Sequence, residues 1–359
     1  ARGSGMYNSA MHVPTLLNSW EGAYFSFNTK TLTDMIDDAA SMGIEMFVLD
    51  DGWFGRGEFA RNSDKSGLGD WEENLEKIPE GIKYIADYAH SKGLKFGIWI
   101  EPEMVNPKSE LYSRHPEWVV VEKGREAYTG RNQLLLDLSN PEVQDFVFGV
   151  FDRTMQLGDI DYIKWDANRH VNNVGSSSAQ HQANFWVDYV NGLYSVLERI
   201  RAKYPDVLLQ SCSSGGGRVD YGVLGWANEV WTSDNTDALC RAFMQYGGSF
   251  IYPAQIFGSH ISATPNHQTG RVLPLKFRCD MAATARLGME IQPKLLSDGE
   301  KQYVQEYLKT YKQYRDIVFD GDLYRISSPY EGGYYSLMFV SKDKRKAVFF
   351  AFCLDYLNR

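Results

Sequence analysis

Short apolar segments that end in polar residues alternate with amphipathic segments along most of the chain, and this alternation constrains the fold more than any other feature. Ile44–Leu49 is followed by Asp50 and Asp51, and Leu94–Ile100 is followed by Glu101. Strands that alternate with helices form a parallel sheet. Because the carboxyl ends of parallel strands meet at one face, we expect these polar residues to gather there and to carry the chemistry.

Nine segments have the composition of strands, one more than a closed eight-stranded barrel requires. Eight strand–helix repeats over about 290 residues predict an α/β fold, the (β/α)8 TIM barrel, and a doubly wound open sheet is the alternative. The barrel better explains why polar residues follow so many successive segments. Gln133–Leu138 is either a strand or a pairing segment within a long crossover. The nine segments are Leu16–Glu21, Ile44–Leu49, Leu94–Ile100, Gln133–Leu138, Ile160–Asp166, Val207–Cys212, Glu229–Ser233, Ser249–Gln255 and Leu287–Ile291.

The character of the chain changes after the last of these segments. Asp298–Asp316 has the pattern of a charged amphipathic helix, and Gly332–Phe352 contains two aromatic-rich strands joined by Lys342–Arg345. That arrangement predicts a hairpin that opens an antiparallel C-terminal domain. We therefore expect three parts, which are a linker at 1–15, the barrel at 16–320 and a truncated C-terminal β-domain at 321–359.

Composition and charge narrow the class of function. Apolar residues make up 43% and aromatic residues 14% of 359 residues, enough for a substantial core. The formal net charge of -9 without a basic block argues against a nucleic acid partner. The apolar runs are shorter than the roughly 20 residues needed to cross a bilayer, so we expect no membrane partner. The four cysteines show neither CxxC pairing nor metal-ligand spacing with His.

Two aspartates that follow predicted strands could form a catalytic pair. Asp166 follows Trp165, and Asp234 comes three residues after Trp231. Two carboxyl groups that flank a glycosidic bond are the minimal machinery of glycoside hydrolysis. Lys164 points to the same side of its strand as Asp166 and would favour the charged carboxylate, whereas Asp234 has no cationic neighbour in sequence and suits a proton donor. The alternative is that Asp166 merely caps the segment that follows it.

Other polar motifs have less specific interpretations. Asp50 and Asp51 could bind a metal, but no His or further Asp cluster supports that, so we predict no metal site and expect them to accept hydrogen bonds from sugar hydroxyls. Gly215–Gly217 lacks the Lys-Ser/Thr pair of a phosphate loop and suggests close approach of the backbone to an uncharged ligand. His170, His260 and His267 are not at metal spacing and are interpreted as structural hydrogen-bonding residues.

A series of motifs from Asn18 to about Pro329 resembles the microbial α-galactosidases of glycoside hydrolase family 36. The motifs occur in the order and spacing of that family, and nine in order is a specific pattern. They are Asn18-Ser19-Trp20-Glu21, Leu49-Asp50-Asp51-Gly52-Trp53-Phe54-Gly55, Leu68-Gly69-Asp70-Trp71, Trp99-Ile100-Glu101-Pro102-Glu103-Met104, Gly130-Arg131-Asn132-Gln133, Lys164-Trp165-Asp166-Ala167-Asn168-Arg169-His170, Ser211-Cys212-Ser213, Trp231-Thr232-Ser233-Asp234-Asn235-Thr236-Asp237 and Pro265-Asn266-His267-Gln268.

This resemblance implies a retaining, exo-acting α-galactosidase that works by two-step displacement on a (β/α)8 barrel without a cofactor. It implies that Asp166 is the nucleophile and Asp234 the acid/base, and that Asp50 and Asp51 bind the 4- and 6-hydroxyls of galactose. The other substrate-binding or pocket-lining residues that it implies are Trp71, Arg131, Lys164, Asn168, Cys212, Ser214, Gly215 and Trp231.

Two departures from the family pattern leave alternatives open. The family usually has Met where this chain has Ala167, and Gly where it has Ser214. A smaller residue and a hydroxyl at these positions could fit a 2-acetamido group, so an α-N-acetylgalactosaminidase with the same catalytic pair is one alternative. A galactosyl transferase of the raffinose-synthase type is another. A non-catalytic sugar-binding barrel is the alternative from a different class, and it would lack one of the carboxylates.

The resemblance also sets expectations about partners and location. We expect an oligosaccharide with a terminal α-galactosyl or α-N-acetylgalactosaminyl group as substrate, and a homo-oligomer when the protein is full length. In the family the barrel lies between an N-terminal β-sandwich and a C-terminal β-domain, and this sequence has no counterpart of the sandwich. Both ends look cut from a longer chain, so missing targeting signals say little, and a cytoplasmic location is the expectation.

Overall fold

The computed structural model describes residues 14–172, 174–179 and 181–355. Strands and helices alternate along them as the sequence pattern indicates. The strands are β1 (Leu16–Asn18), β2 (Met46–Leu49), β3 (Lys95–Ile100), β4 (Met104–Val105), β5 (Leu134–Leu135), β6 (Tyr162–Trp165), β7 (Leu208–Ser211), β8 (Glu229–Trp231), β9 (Phe257–Ser262), β10 (Arg286–Glu290), β11 (Asp322–Ser327), β12 (Tyr334–Val340) and β13 (Ala347–Cys353).

The helices begin and end at local sequence signals. Gly43 ends one helix with φ 83°, a left-handed conformation that glycine adopts without strain. Asn140 accepts a hydrogen bond from the N–H of Glu142 at the start of another helix, whose first residue is Pro141. The α-helices are α1 (Trp20–Ala23), α2 (Thr29–Met42), α3 (Gly81–Ser91), α4 (Glu110–Arg114), α5 (Pro141–Met155), α6 (Phe185–Lys203), α7 (Ala238–Gly248), α8 (Leu275–Ala282) and α9 (Asp298–Asp320).

Eight parallel strands of the described residues close into a barrel in the order β1-β2-β3-β6-β7-β8-β9-β10, and β10 pairs back to β1. This confirms the predicted (β/α)8 TIM barrel and excludes the open sheet. The register places Lys164 of β6 beside Trp99 of β3 on one side and Gln210 of β7 on the other. Side chains from three neighbouring strands therefore lie next to one another inside the barrel.

Below the cavity, the barrel interior has an apolar cluster on the side of β1, β2, β6 and β7, and the interior becomes polar toward the carboxyl ends of the strands. Side chains two residues apart on a strand point the same way, so Tyr162, Lys164 and Asp166 all face the barrel axis. Tyr162 belongs to a small apolar cluster separate from the main core, and the two residues above it are charged. Lys164 and Asp166 therefore lie toward the carboxyl ends of the barrel strands, from which the loops extend. The apolar cluster consists of Leu16, Met46, Val48, Tyr162 and Leu208.

One predicted strand is wrong. Ser249–Gln255 forms turns after α7, and its apolar side chains Phe250 and Ile251 are 62% and 59% exposed. The barrel strand of this region is β9, which begins at Phe257. Its sequence was not recognised because it carries polar side chains into the barrel, among them His260, which bonds to Glu290. Because polar residues of β9 find hydrogen-bond partners inside the barrel, this buried strand lacks the continuous apolar pattern by which buried strands are identified.

The segment Gln133–Leu138 is a pairing segment, the second of the two interpretations that the sequence allowed. Its residues Leu134 and Leu135 form β5, which pairs antiparallel with β4 outside the barrel. Both strands belong to the long crossover between β3 and β6. The crossover is therefore held by its own short ladder, and the barrel keeps eight strands among the described residues.

An antiparallel sheet follows α9, as predicted. β12 and β13 form the expected hairpin, and β11 adds an edge strand that the sequence pattern did not identify. Helix α9 packs on this sheet, for example through Tyr314, whose ring contacts that of Phe350. Because α9 ends at Asp320 and β11 begins at Asp322, we keep 16–320 and 321–359 as the proposed division of the chain.

The predicted linker at 1–15 lies outside the described residues except for Pro14 and Thr15. Thr15 is buried, and its backbone N–H donates to Oε2 of Glu45 at 2.8 Å. Residues 356–359 at the other end also lie outside the description. Among the residues that are described, none of the helices has the length and apolar character needed to cross a bilayer.

Candidate active site

A cavity of about 230 Å³ opens at the carboxyl ends of the barrel strands. Its volume lies below the roughly 300–1,000 Å³ of pockets that hold drug-sized ligands, so it suits a single sugar ring. Residues that follow most of the barrel strands contribute to its wall. The lining residues are Trp20, Glu21, Asp50, Asp51, Trp99, Arg131, Lys164, Asp166, Asn168, Trp231, Asp234, His267, Gln268 and Glu290.

Asp166 is a buried carboxylate held by donors from several directions. Its Oδ2 accepts hydrogen bonds from Nε1 of Trp99 at 3.0 Å and Nδ2 of Asn168 at 2.7 Å, and its Oδ1 accepts one from the N–H of Ala167. Burial alone would raise the pKa of Asp166, but the charge of Lys164 and these donors lower it below the usual value. Asp166 is therefore ionised and rigidly oriented.

Asp234 has the opposite electrostatic environment. Its Oδ1 accepts a hydrogen bond from Nε1 of Trp231 at 3.1 Å, and its backbone carbonyl accepts one from Nε2 of Gln268 at 2.6 Å. Burial and the nearby charge of Asp166 raise the pKa of Asp234 above the usual value. Among the carboxyl groups that line the cavity, Asp166 thus has a lowered pKa and Asp234 a raised one.

A buried ion pair forms the floor of the cavity. Nζ of Lys164 lies 2.7 Å from Oδ2 of Asp50, which also accepts a hydrogen bond from Nδ2 of Asn18 at 2.7 Å. Burial would lower the pKa of Lys164, but the Asp50 carboxylate raises it well above the usual value. Asp51 is paired with Arg61 through Nε and Nη2, at 2.9 Å and 2.7 Å. Both adjacent aspartates are therefore already paired with cations.

Arg131 reaches the cavity from a tight turn in the crossover between β3 and β6. Arg131 and Asn132 have φ values of 53° and 59°, a left-handed conformation that costs free energy for residues other than glycine. The carbonyl of Asn132 accepts a hydrogen bond from Nδ2 of Asn106 at 2.8 Å, which helps to hold the turn. Nη2 of Arg131 lies 3.7 Å from Asp64, so the guanidinium is only loosely paired.

Eight predicted site residues therefore line the cavity, and four others lie behind or beside it among the described residues. The ring centroid of Trp71 lies 6.1 Å from that of Trp99 and 4.3 Å from that of Phe54. Cys212 is fully buried, and its thiol donates to Asp166. Both residues support cavity walls from outside.

Ser214 and Gly215 act on neighbouring groups of the site. Ser214 is exposed, has a φ of 46°, and donates from Oγ to Oδ1 of Asn168 at 3.1 Å. A Cβ at Gly215 would lie 2.6 Å from Cα of Ser233, so the glycine permits close approach to the segment that carries Asp234. The close approach is thus to this chain's own backbone.

Several lining residues were not among the predicted site residues. Trp20 and Glu21 follow β1 after one intervening residue, Ser19, and a position just after a strand is the same signal that identified Asp50 and Asp166. Glu290 ends β10 inside the barrel. His267 and Gln268 lie in the loop after β9, a strand that the sequence pattern placed wrongly, so their position at the cavity could not be inferred.

The described part of the chain contains no group of three or more His, Cys, Asp or Glu side chains arranged to hold a metal ion. Asp50 and Asp51 stand next to each other in sequence, but each carboxylate faces its own cationic partner. The cations that face the cavity are therefore side chains of Lys164 and Arg131. These can bind hydroxyl oxygens and balance the carboxylates.

Comparison with known proteins places this geometry among α-galactosidases. The family model described as Melibiase matches residues 4–321. The bifunctional α-galactosidase/sucrose kinase AgaSK of Mediterraneibacter gnavus is 46% identical over 94% of this chain and 35% of its own. α-Galactosidase AgaA of Geobacillus stearothermophilus is 43% identical over 93% of this chain and 46% of its own.

A solved structure of a variant of the AgaA enzyme, a family 36 glycoside hydrolase, in complex with raffinose is similar to this fold. Its TM-score is 0.93 at 41% identity, over 96% of this chain and 48% of the other. The chain thus spans about a third to a half of the length of these relatives.

Proposed function

This chain belongs to the melibiase family of α-galactosidases, and from that premise we propose that it removes terminal α-linked galactose from oligosaccharides as a retaining exo-glycosidase. The observation that carries the proposal is the contrast between two carboxyl groups in one small cavity. Asp166 is held ionised by Lys164 and by hydrogen-bond donors, while burial and the charge of Asp166 favour the protonated form of Asp234. Retaining glycosidases use one carboxylate and one carboxylic acid in this way.

In the first step of the proposed mechanism, an oxygen of Asp166 attacks the anomeric carbon. A bond forms between that oxygen and the anomeric carbon, and the bond from the carbon to the glycosidic oxygen breaks. Asp234 donates its proton to the leaving oxygen. The donors that orient Asp166, among them Trp99 and Asn168, keep one face of the carboxylate toward the sugar.

In the second step, water replaces the leaving sugar. Asp234, now ionised, takes a proton from this water, whose oxygen attacks the anomeric carbon, and the bond to Asp166 breaks. Two inversions at one carbon give net retention of configuration. The positive charge that develops on the sugar ring is stabilised by the adjacent carboxylate of Asp166, whereas Lys164 and Asp50 neutralise each other as an ion pair.

The shape of the cavity supports exo action and an oligosaccharide substrate. A cavity of about 230 Å³ accommodates one terminal ring and leaves the remaining sugars outside. The related AgaA enzyme has been solved with raffinose and with stachyose, both oligosaccharides. We therefore propose oligosaccharides of this type as substrates. We also propose that the full-length protein is a homo-oligomer located in the cytoplasm.

The alternatives receive less support from the structure. Ala167 is buried and lies outside the cavity lining among the described residues, and Ser214 bonds to Asn168 instead of standing free beside the sugar. Hydrolysis of aryl α-galactoside and aryl α-N-acetylgalactosaminide by the same preparation measures this preference directly. A non-catalytic barrel would need a missing carboxylate, and both Asp166 and Asp234 are in the cavity.

The test uses Asp166→Ala and Asp234→Ala, with Asp145→Ala as the matched control, because Asp145 is 72% exposed on α5 and pairs with Arg199. We expect Asp166→Ala to lower kcat on the order of 10⁴-fold with every substrate. Asp234→Ala should lose about 10²–10⁴-fold on raffinose but much less on p-nitrophenyl α-galactoside, whose leaving group needs no proton. Full activity of the Asp166 variant would refute the nucleophile assignment.

A further inference from the structure

The residues of one wall of the cavity have no role in the proposed mechanism. The strand order places β10 opposite β6 across the barrel, with β1 and β9 on either side of β10. The wall opposite Asp166 is therefore built by Glu21, Glu290, His267 and Gln268, which follow or end these three strands. Glu290 is occupied by a hydrogen bond from His260.

Glu21 is buried, with 3% of its side chain exposed, yet one of its oxygens lacks a well-aligned donor. Its Oε1 accepts a hydrogen bond from Oγ1 of Thr236 at 2.8 Å. Its Oε2 is buried without a hydrogen bond of good geometry to any described residue, and lies 3.3 Å from Nδ1 of His267. A buried carboxylate oxygen needs a partner, and the imidazole is the group within reach. Glu21 thus anchors the side of His267 that faces away from solvent.

The charged groups around Glu21 and His267 also favour an ion pair between these two residues. Burial raises the pKa of Glu21 to about 7, and the bond to Glu21 raises the pKa of His267 above its usual value. Glu290 and Asp234 are the other carboxyl groups close enough to act on His267. The Glu21 carboxyl group therefore favours the protonated imidazole of His267, and the ring has an N–H with which to donate a hydrogen bond.

The position of the acid fixes where the leaving sugar must lie. The glycosidic oxygen has to come within about 2.6–3.2 Å of the Asp234 carboxyl group to receive its proton. Gln268, which bonds to the backbone of Asp234, and His267 are the more exposed residues beside this acid. Tyr24, 39% exposed, contacts the His267 ring at 6.3 Å between centroids. A sugar attached through that oxygen would therefore rest against His267.

We propose that His267, held in place by Glu21, binds the hydroxyl groups of the leaving sugar and so determines preference for the leaving group. His267 is the residue that contacts the sugar, and Glu21 is a positioning residue that acts through it. The ligand class is a hydroxyl-rich hexose linked to the galactosyl unit. This inference rests on the proposed function and deepens it by assigning a site next to the galactosyl cavity.

The experiment compares melibiose, which releases glucose, with p-nitrophenyl α-galactoside, whose leaving group has no sugar hydroxyls. His267→Ala should lower kcat/KM for melibiose about tenfold more than kcat/KM for the aryl substrate, the effect of one lost hydrogen bond to a charged group on the leaving sugar. His115→Ala is the matched control, because His115 also pairs with a glutamate, Glu117, at the surface away from the barrel strands. The control should change neither value.

Two further variants separate positioning from structure. His267→Asn keeps a polar side chain and should retain part of the preference for melibiose if His267→Ala folds poorly. Glu21→Gln should reduce melibiose hydrolysis selectively. It should also shift the pH at which KM for melibiose rises, because glutamine does not ionise and no longer raises the pKa of His267. A purely structural role for Glu21 would lower both substrates together and leave that pH unchanged.

Each outcome supports or refutes the site. Equal losses on both substrates, or no loss on melibiose, refute binding of the leaving sugar by His267. Parent protein that hydrolyses neither substrate refutes the proposed function, and the leaving-group site with it. Parent protein that hydrolyses both, together with a selective loss in His267→Ala and in Glu21→Gln, supports both.

Discussion

At the scale of single residues, the buried acid Glu101 shows how an acidic side chain can support the site through the hydrogen bonds that it makes. Glu101 directly follows β3 and is fully buried. It accepts hydrogen bonds from the backbone N–H of Asn168 and from Nε2 of Gln133. Burial and the charge of Asp166 raise the pKa of Glu101 well above its usual value.

The raised pKa and the hydrogen bonds of Glu101 predict different outcomes for two substitutions of this residue. Glu101→Gln should keep kcat/KM within about threefold, because an amide can accept from Asn168 and donate to Oε1 of Gln133, which lacks a partner among the described residues. Glu101→Ala should destabilise the protein by about 1–3 kcal/mol for each donor left unsatisfied. Kinetic assays and urea unfolding measure the two effects. Equal inactivation by both variants would mean that the charge of Glu101 is needed.

At the scale of elements, the barrel depends on small residues where neighbouring strands bring large side chains together. Gly97 of β3 lies inside the barrel beside Tyr162 of β6. A Cβ at Gly97 would lie 2.8 Å from Cδ1 of Tyr162 and 3.1 Å from Cγ2 of Val48. Hydroxyl bonding of Tyr162 to Glu229 limits its freedom to move away. An added methyl group at Gly97 would therefore overpack the barrel interior below the cavity.

Gly97→Ala should lower the free energy of unfolding by about 1–3 kcal/mol, because the added methyl group overpacks a filled layer. Gly299→Ala in helix α9 is the matched control, since its Cβ would meet nothing within 4 Å. That substitution should stabilise the protein by about 0.4–1 kcal/mol through lower entropy of the unfolded chain. Urea unfolding followed by circular dichroism gives both values. Equal stability of the two variants would contradict the close packing of the barrel interior.

At the scale of the whole molecule, the catalytic charges are set by groups from distant parts of the chain. The pKa of Asp166 is lowered by Lys164 from its own strand and by Cys212 and Trp99 from the ends of the two neighbouring strands. The pKa of Asp234 is raised by burial and by Asp166 itself. Closing the barrel is what brings these groups together, so the dependence of activity on pH is a property of the entire fold.

This arrangement predicts a bell-shaped dependence of kcat/KM on pH. The proposed mechanism requires ionised Asp166 and protonated Asp234, so activity should fall about tenfold per pH unit below the pKa of Asp166 and above that of Asp234. In Asp234→Asn, the residual hydrolysis of p-nitrophenyl α-galactoside should lose the fall at alkaline pH. Asp145→Ala should retain both limbs. An alkaline limb that persists in Asp234→Asn would assign it to another group.

Much of the fold and part of the site were predictable because their signals are local. The apolar segments before Asp50, Glu101 and Asp166 mark strands that are buried on both faces. The strand that contains His260 was misplaced, because its polar residues are satisfied inside the barrel by partners such as Glu290. Local pattern cannot reveal such a strand, since the partners come from a neighbouring strand of the closed sheet.

The sequence by itself determined the barrel, the antiparallel sheet that follows it and the catalytic candidates Asp166 and Asp234, because periodicity and polar strand ends are properties of contiguous residues. Only the tertiary structure decided that Trp71 packs behind Trp99 and that Glu21 meets His267. These contacts join loops far apart in sequence, and their geometry depends on how the closed barrel orders its strands. The same closure sets which carboxyl group is charged, because burial and neighbouring charges exist only in the folded chain.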